Sequence, residues 1–355
     1  MMYKISAFFA VAPFYDFQQK RLIHAKLNLL VILLTLLYPL GSIVLMILYQ
    51  DFLEKKETTS LFITETMSYV SYITVPFVTS LSLLFKKNHW VEFMLKMKEM
   101  RVKMKLNSKR AYFSKKVLLV VFFLHLVECA NIGTHLTLDS KDVLLTTYFY
   151  LYETGLLYII LLFFSINRVL QVSYKDLDDK FKEINRIGSE HSFCTDNSDA
   201  RIIAKLRECF YIYVDLHGFV KDVNCLFGWI VMVIFIYALT NSVDILNWYV
   251  NGADILNADL LDLIVTIIFT MSVIISCNQT TNQGKHFIRI AYLMEEHYTI
   301  NSPIRLELIK IAELAENYLP KYIILGLVDV TASTIISLIT TLSTYLLIVI
   351  QFNLS

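Results

Sequence analysis

Residues 329–352 read DVTASTIISLITTLSTYLLIVIQF, a stretch that is long and apolar enough to cross a membrane as a helix. About 20 helical residues span the ~30 Å hydrocarbon core of a bilayer. The stretch differs from a plain membrane anchor, because hydroxyl side chains recur along it and an amide, Gln351, stands near its end. An amide in hydrocarbon must find a hydrogen-bonding partner or water. The segment is therefore expected to line a polar path.

The composition extends this prediction to the whole chain. Hydrophobic residues make up 56% of the 355 residues and charged residues only 18%, and the mean hydropathy is +0.55. A soluble domain carries more charge, about 25% of its residues. The sequence therefore predicts an all-α membrane protein with seven transmembrane helices, at about 27–49, 61–85, 117–138, 143–172, 223–250, 260–280 and 329–352.

The positive charges orient these predicted helices. Of the 32 Lys and Arg residues, 29 lie in the segment before the first span and in alternate segments after it, and 3 lie in the others. Lys and Arg are enriched in cytoplasmic loops. We therefore expect a cytoplasmic N-terminus and an extracellular C-terminus. The five cysteines lie in spans or in segments assigned to the cytoplasm, so neither a structural disulfide nor a metal site is expected.

Two long polar segments continue the spans into the cytoplasm. Leu170, Tyr174 and Leu177 are spaced so that they share one helical face, a break is expected at 188–199, and Ser302 with Pro303 is typical of a helix start. The segments form either a packed helical domain or amphipathic helices on the membrane surface; the packed domain is the prediction. The predicted order is 1–26, a cytoplasmic segment; 27–172, transmembrane helices 1–4; 173–222, cytoplasmic extensions; 223–280, transmembrane helices 5–6; 281–320, cytoplasmic helices; and 321–355, the last helix.

A polar stripe runs along the last predicted helix. Its residues recur at spacings of three and four, which places them on one face. The stripe either packs against another helix or lines a pore with an apolar and amide gate at its outer end. It carries no charged residue, so weak ion selectivity is expected. The predicted pore and gate residues are Ser337, Thr341, Thr344, Ile348, Gln351 and Phe352.

The outer halves of the spans hold polar and aromatic side chains that suit a cavity for a small organic ligand. Ionisable groups inside a membrane are costly and therefore tend to face cavities or partners. Packing contacts between helices are the alternative. The predicted ligand-binding residues are Tyr72, His125, Glu128, Asn131, Tyr152, Glu153, Tyr237, Asn241 and Asp244.

The end of the chain resembles a known family. Thr344 and Tyr345, five hydrophobic residues, and then Gln351 and Phe352 match the C-terminal signature of insect gustatory receptors, which are related to odorant receptors. The seven-span layout with a cytoplasmic N-terminus is also similar. The resemblance implies a tetrameric ligand-gated cation channel in the plasma membrane of sensory neurons. It further implies a pore lined by the last span, a gate at Gln351 and Phe352, and a cytoplasmic anchor domain at about 173–222 and 281–320.

The ligand class is narrowed by one departure from the family pattern. Sugar-type members often carry Glu after the Thr-Tyr pair, where this chain has Leu346. This departure argues against the main sugar subgroup but not against the fructose-responding type. A bitter or other non-sugar tastant is favoured, with a fructose-type ligand as an alternative. An odorant-receptor-like chemoreceptor with a co-receptor, a receptor that signals through partner proteins and a secondary transporter are the alternatives.

The remaining expectations concern partners and chemistry. We expect a small-molecule tastant, permeant cations, identical or related subunits and the lipid bilayer as partners, and no nucleic acid. The sequence lacks the hydrolase, metalloprotease and phosphate-loop motifs, so neither an enzyme nor a cofactor is expected.

Overall fold

The structure is a computed structural model that describes residues 59–103, 140–190, 196–250 and 257–354, together with Leu33 and two short strands near the N-terminus. The predicted spans at 27–49 (apart from Leu33) and 117–138 lie outside the described residues. In chain order the elements are β1 Tyr15–Asp16, β2 Arg21–Leu22, α1 Thr59–Phe85, α2 Lys87–Lys103, α3 Ser140–Glu190, α4 Asp196–Val250, α5 Asn257–Glu295, α6 Pro303–Asn317, β3 Ile323–Ile324, β4 Val328–Asp329 and α7 Ala332–Leu354.

Four of the described helices are long and apolar enough to cross a membrane. They are the segments Leu61–Phe85, Leu156–Ile184, Asp199–Val250 and Leu263–Glu295, and the last helix contributes a shorter apolar stretch. At 1.5 Å per residue, the 51 residues of α3 and the 55 of α4 extend about 77 and 83 Å. Both lengths exceed twice the ~30 Å hydrocarbon core, so each helix continues well beyond it.

The charged ends of α3, α4 and α5 pack against one another through a buried aromatic core. The Tyr213 and Phe287 rings stack with centroids 4.6 Å apart, and Phe181 lies 4.8 Å from Phe287. Tyr174 meets Tyr213 edge to face at 5.8 Å. All four rings are essentially inaccessible to solvent. These extensions therefore form a packed unit rather than separate helices lying on a surface.

The predicted break between the third and fourth described helices is shorter in the structure. α3 continues through Gly188 to Glu190, and α4 begins at Asp196. A single Gly inside a long helix costs only about 1 kcal/mol, so it does not by itself end the helix. The interruption expected at 188–199 is thus wrong at both of its ends.

The short helix α6 begins where Ser302 and Pro303 predict, but its buried face differs from the expected one. Ser302 occupies the N-cap position without a side-chain hydrogen bond. The spacing of Leu306, Ile309, Leu314 and Tyr318 predicts a part-apolar face, but Leu306, Leu314 and Tyr318 are exposed. The buried residues are Ile304, Leu308, Ile311, Ala312 and Ala315.

A β-hairpin precedes the last helix and was not predicted. β3 pairs antiparallel with β4, with Ile324 opposite Val328. The turn between them places Leu325 and Gly326 at φ angles of 54° and 73°. The range 321–355, predicted as one last helix, therefore consists of a hairpin followed by α7, which begins at Ala332.

Candidate pore and ligand-binding site

The hydroxyl groups of α7 bond to the backbone of their own helix. Thr341 Oγ1 donates to the Ser337 carbonyl at 2.8 Å, and Ser337 Oγ donates to the Ser333 carbonyl at 3.2 Å. Thr344 Oγ1 donates to the Thr340 carbonyl at 2.9 Å. These bonds use the hydroxyl hydrogens, so the oxygen lone pairs are what the side chains present to their surroundings. Such a row of oxygens accepts hydrogen bonds from water and attracts cations.

The hydroxyl stripe lies on the side of α7 that faces away from the rest of the chain. Ile335 and Leu338 pack against the hydrophobic core. Thr344 and Gln351 lie at least about 120° around the helix from both of them, because successive residues are about 100° apart, and both are exposed. Thr344 and Gln351 are therefore not used for packing within the subunit.

The predicted pore and gate residues differ in how exposed they are. Ile348 is 40% exposed, Ser337 is exposed, and Thr341 is half-buried at the edge of the packed face. Gln351 is exposed at the end of the helix. The side chain of Phe352 lies outside the described residues.

The start of α7 is held by a compact set of hydrogen bonds. Thr334 Oγ1 accepts from the Thr331 backbone amide at 3.1 Å and donates to the Asp329 carbonyl at 3.0 Å. Val330 is buried, and its amide donates to the Tyr322 carbonyl at 2.8 Å. The first turn of the last helix is thereby joined to the hairpin that precedes it.

A polar cluster joins α1 to α4 in the half of the helices assigned to the outer side. Thr64 Oγ1 lies 2.9 Å from Asp244 Oδ1, to which it donates, and accepts from Asn247 Nδ2 at 3.0 Å. Ser68 Oγ lies 3.5 Å from Asn241 Oδ1. Asn247 is fully buried and Asn241 is 8% exposed. Two helices are thus linked by hydroxyl, amide and carboxylate groups at consecutive turns.

Three of the nine predicted ligand-binding residues have described side chains. Tyr237, Asn241 and Asp244 follow one another at spacings of four and three on the same face of α4, and Tyr237 is 4% exposed. The structure thus brings Asn241 and Asp244 together with α1. The other six predicted residues lie outside the described residues or have side chains outside them: Tyr72, His125, Glu128, Asn131, Tyr152 and Glu153.

Sequence reasoning missed the two partners that complete the cluster, Thr64 and Asn247. The available signal was spacing: Asn247 continues the row Tyr237, Asn241 and Asp244 by three residues. No comparable signal exists for Thr64, because its role depends on which residue of α4 faces it across the helix contact.

The described cavities and cysteines lie elsewhere in the molecule. One open cavity of about 450 Å³ lies between α2 and α4, with Lys96, Glu99, Met100, Asp215 and Phe219 among its lining residues. Cys209 and Cys277 are buried free thiols, and Cys225 is exposed. Within the described ranges, no group of three or more His, Cys, Asp or Glu side chains is placed to hold a metal ion.

Known proteins share this fold. The insect olfactory receptor OR5 from Machilis hrabei is similar over 99% of this chain and 96% of its own, with a TM-score of 0.62 and 12% sequence identity. The structure of OR5 in complex with eugenol is similar over the same shares, with a TM-score of 0.54 and 13% identity. No curated protein sequence matches the chain.

A family model described as 7tm chemosensory receptor matches residues 1–355. This match confirms the resemblance to insect chemoreceptors that the C-terminal residues indicated. With the match covering every residue, the chain belongs to the 7tm chemosensory receptor family, a family of membrane receptors and not of enzymes.

Proposed function

We propose that the chain is one subunit of a tetrameric, ligand-gated, non-selective cation channel of the plasma membrane, opened by a small tastant. In this proposal it is a gustatory receptor, with seven spans, a cytoplasmic N-terminus and an extracellular C-terminus. The last helix lines a central pore together with its copies from the other subunits. The observation that carries the proposal is the outward-facing hydroxyl stripe of α7.

The stripe supports a pore because one helix cannot enclose a water-filled path. Ser337 and Thr344 present oxygen acceptors on the side of α7 opposite its packed face. In a single subunit that side would meet lipid, which offers no hydrogen-bond donors to these hydroxyl oxygens. Around a symmetry axis, the same side would meet water and permeant cations. The absence of charge on the stripe agrees with weak selectivity among cations.

Exposed apolar residues in the cytoplasmic half support contacts between subunits there. Leu306, Leu314 and Tyr318 on or next to α6 are exposed, and Tyr292 on α5 is also exposed. A large apolar side chain in an aqueous compartment is typical of an interaction surface when several lie together. We place the subunit contacts of the anchor domain on this surface, within about 173–222 and 281–320.

The polar cluster of α1 and α4 supports a ligand site in the outer half of the spans. Tyr237, Asn241 and Asp244 offer an aromatic ring, an amide and a carboxylate on one face of α4. A small organic molecule with hydrogen-bonding groups suits such a wall. Eugenol, which one solved OR5 structure contains, is a small aromatic molecule of this kind. We infer a non-sugar tastant rather than a ligand of the main sugar subgroup, because Leu346 stands where sugar-type members often carry Glu. A fructose-type ligand is the alternative.

The second candidate is an odorant receptor that acts with a co-receptor. The structural likeness to OR5 favours it, whereas the Thr344–Phe352 signature favours a gustatory receptor. The two candidates differ in one measurable respect. The odorant receptor needs a second kind of subunit for current, whereas the homomeric gustatory channel does not.

The test is expression of the chain alone in cells, with whole-cell current recorded during application of quinine, fructose and eugenol. We expect a cation current that reverses near 0 mV and is evoked by quinine or eugenol more strongly than by fructose. Surface protein is measured in the same cells by biotinylation. Well-expressed surface protein without any current would contradict the homomeric channel, and current that appears only with a co-receptor would favour the second candidate.

The gate assignment has its own test. Gln351→Ala and Phe352→Ala are each expected to raise the basal current, because each removes part of the constriction at the outer end of the helix. Ser343→Ala is the matched control, since Ser343 bonds to its own helix at 2.9 Å but lies off the stripe. If both variants show the same basal current as the Ser343→Ala control, the assignment of the gate to Gln351 and Phe352 is wrong.

A further inference from the structure

The segment that connects α6 to α7 is held at three points by three different long helices. We call residues 318–331 the connecting segment. Asn224 Nδ2 of α4 donates to the Lys321 carbonyl at 2.8 Å. Pro320 packs against Gly284 of α5 so closely that a Cβ on the glycine would lie 2.3 Å from the proline ring.

The third point of attachment is a buried hydrogen bond to α3. The Tyr322 hydroxyl donates to Asn167 Oδ1, and the two residues are 4% and 0% exposed. The Tyr322 ring also meets Phe163, one turn earlier on α3, edge to face with centroids 6.4 Å apart. Val330, at the far end of the connecting segment, donates its amide to the carbonyl of Tyr322. Tyr322 is therefore connected through Val330 to the residues that immediately precede α7.

Asn167 is an unusual residue for this buried position, because only its amide oxygen is hydrogen-bonded in the contact with Tyr322. Within the part of the chain that the structure describes, its Nδ2 has no hydrogen-bond partner. A buried amide group without a partner costs about 1–3 kcal/mol, whereas an apolar side chain of similar size would not. Packing alone therefore does not explain why an asparagine stands at position 167. A hydrogen bond to Asn167 that specifies the position of Tyr322 explains it.

The neighbouring turn of α3 extends the contact to α5. Gln171, four residues after Asn167, donates from Nε2 to the Ser276 carbonyl at 3.2 Å and to Thr280 Oγ1 at 3.3 Å. One face of α3 thus holds both α5 and the connecting segment by polar bonds. Such bonds are directional, so a rotation or shift of α3 changes them before it changes the apolar packing around them.

We propose that Tyr322 and Asn167 are positioning residues that transmit movement of α3 to the last helix. This proposal rests on the proposed function, because it takes α7 as the pore-lining element. α3 also carries Tyr152 and Glu153, whose positions lie 15 and 14 residues before Asn167, about 21–23 Å along the helix. A ligand that moves the outer part of α3 would therefore move Asn167, and with it Tyr322 and the start of α7.

The experiment measures the exposure of α7 without needing a ligand. Thr344→Cys is introduced on the exposed side of α7, and the rate of its modification by external MTSET is measured on surface protein. The receptor without this cysteine supplies the background from native thiols. The rate is compared in four further variants: Tyr322→Phe, Asn167→Leu, the combination of the two, and Tyr211→Phe as a matched control at a 63% exposed tyrosine.

We expect Tyr322→Phe and Asn167→Leu each to change the rate at least threefold, and the combined variant to resemble either single variant. The reason is that both changes remove the same hydrogen bond, so their effects do not multiply. Tyr211→Phe should leave the rate unchanged. The proposal would be overturned if both single variants react within 1.5-fold of the rate of the receptor that carries only Thr344→Cys. It would also be overturned if the two effects multiply in the combined variant.

A milder variant, together with the measurement on surface protein, distinguishes a misfolded receptor from one in which α7 has changed position. Asn224→Ala removes the bond to the Lys321 carbonyl at a half-buried position, and we expect it to change the rate in the same direction. Evoked current is recorded in parallel with quinine and eugenol. Absence of current from the receptor without substitutions would count against the proposed channel function. The rates of modification by MTSET would still decide whether Tyr322 and Asn167 position α7.

Discussion

Gly284→Ala is expected to destabilise the protein by forcing the connecting segment away from α5. The added Cβ would lie 2.3 Å from Pro320 Cγ and 2.4 Å from Pro320 Cδ. Carbon atoms in contact prefer about 3.5–4.0 Å, so the two parts must separate by about 1 Å. The proline ring cannot rotate away as a flexible side chain would, and both residues are buried. The clash therefore has to be relieved by the backbone.

The net cost follows from two opposing effects. Overpacking of this kind costs about 1–3 kcal/mol, and replacing Gly by Ala inside a helix returns about 1 kcal/mol. The net loss is thus at most about 2 kcal/mol. Gly218→Ala is the matched control, because Gly218 is also inside a long helix and its added Cβ would meet nothing within 4 Å. That control should gain about 1 kcal/mol, so the two variants should differ by about 1–3 kcal/mol.

The assay is thermal unfolding of detergent-purified protein, followed by the loss of the monodisperse peak in fluorescence-detected size exclusion. Each kcal/mol lost lowers the midpoint by about 2–4 °C in domains of 150–250 residues. Gly284→Ala is therefore expected to unfold about 2–12 °C below Gly218→Ala. Adding Pro320→Ala should recover much of the loss, because it removes the two clashing ring atoms. A midpoint for Gly284→Ala at or above that of Gly218→Ala would refute the argument.

Three further variants test other contacts. Gly326→Ala should cost about 1–2 kcal/mol in thermal unfolding, because its φ of 73° is disfavoured for Ala although the space around it is open; an unchanged midpoint would argue against the turn. Thr64→Val should cost about 1–3 kcal/mol, since Asp244 loses a donor and Asn247 an acceptor; a gain in stability would argue against the cluster. Glu307→Gln should lower the midpoint at neutral pH, and by less as the pH falls below the usual carboxyl range. Arg207, which bonds both oxygens of Glu307 at 2.7 and 2.8 Å, lowers the pKa of that carboxyl. The stabilisation is therefore present above the usual carboxyl range and lost as pH falls through the lowered pKa, and a difference between the two proteins that does not change with pH would contradict the ion pair.

The helical segments of this protein were largely predictable, because their signal is local. Apolar runs at 61–85 and 329–352 correspond to α1 and α7 within three residues at most ends. The row Leu170, Tyr174 and Leu177 is buried as its spacing indicated. Continuous apolar or amphipathic periodicity depends only on neighbours three or four residues away.

The hairpin and the buried face of α6 were not predictable in the same way. Ile323 and Ile324 read as part of an apolar run, and only the pairing with Val328 makes them a strand. Leu306 and Leu314 are no less apolar than Leu308, yet Leu308 is buried and they are exposed. Which apolar face of an amphipathic helix is covered depends on where its neighbours lie.

The sequence by itself determined that the chain is a helical membrane protein, that its Lys and Arg residues are concentrated in alternate segments, and that its last helix carries a hydroxyl stripe. Those properties follow from composition and from spacing along one helix. Only the tertiary structure decided that the stripe faces away from the subunit, that Thr64 meets Asp244, and that Tyr322 bonds to Asn167. Each of these contacts joins residues more than 100 positions apart, and a directional bond between distant groups depends on the packing of whole helices, which no local pattern records.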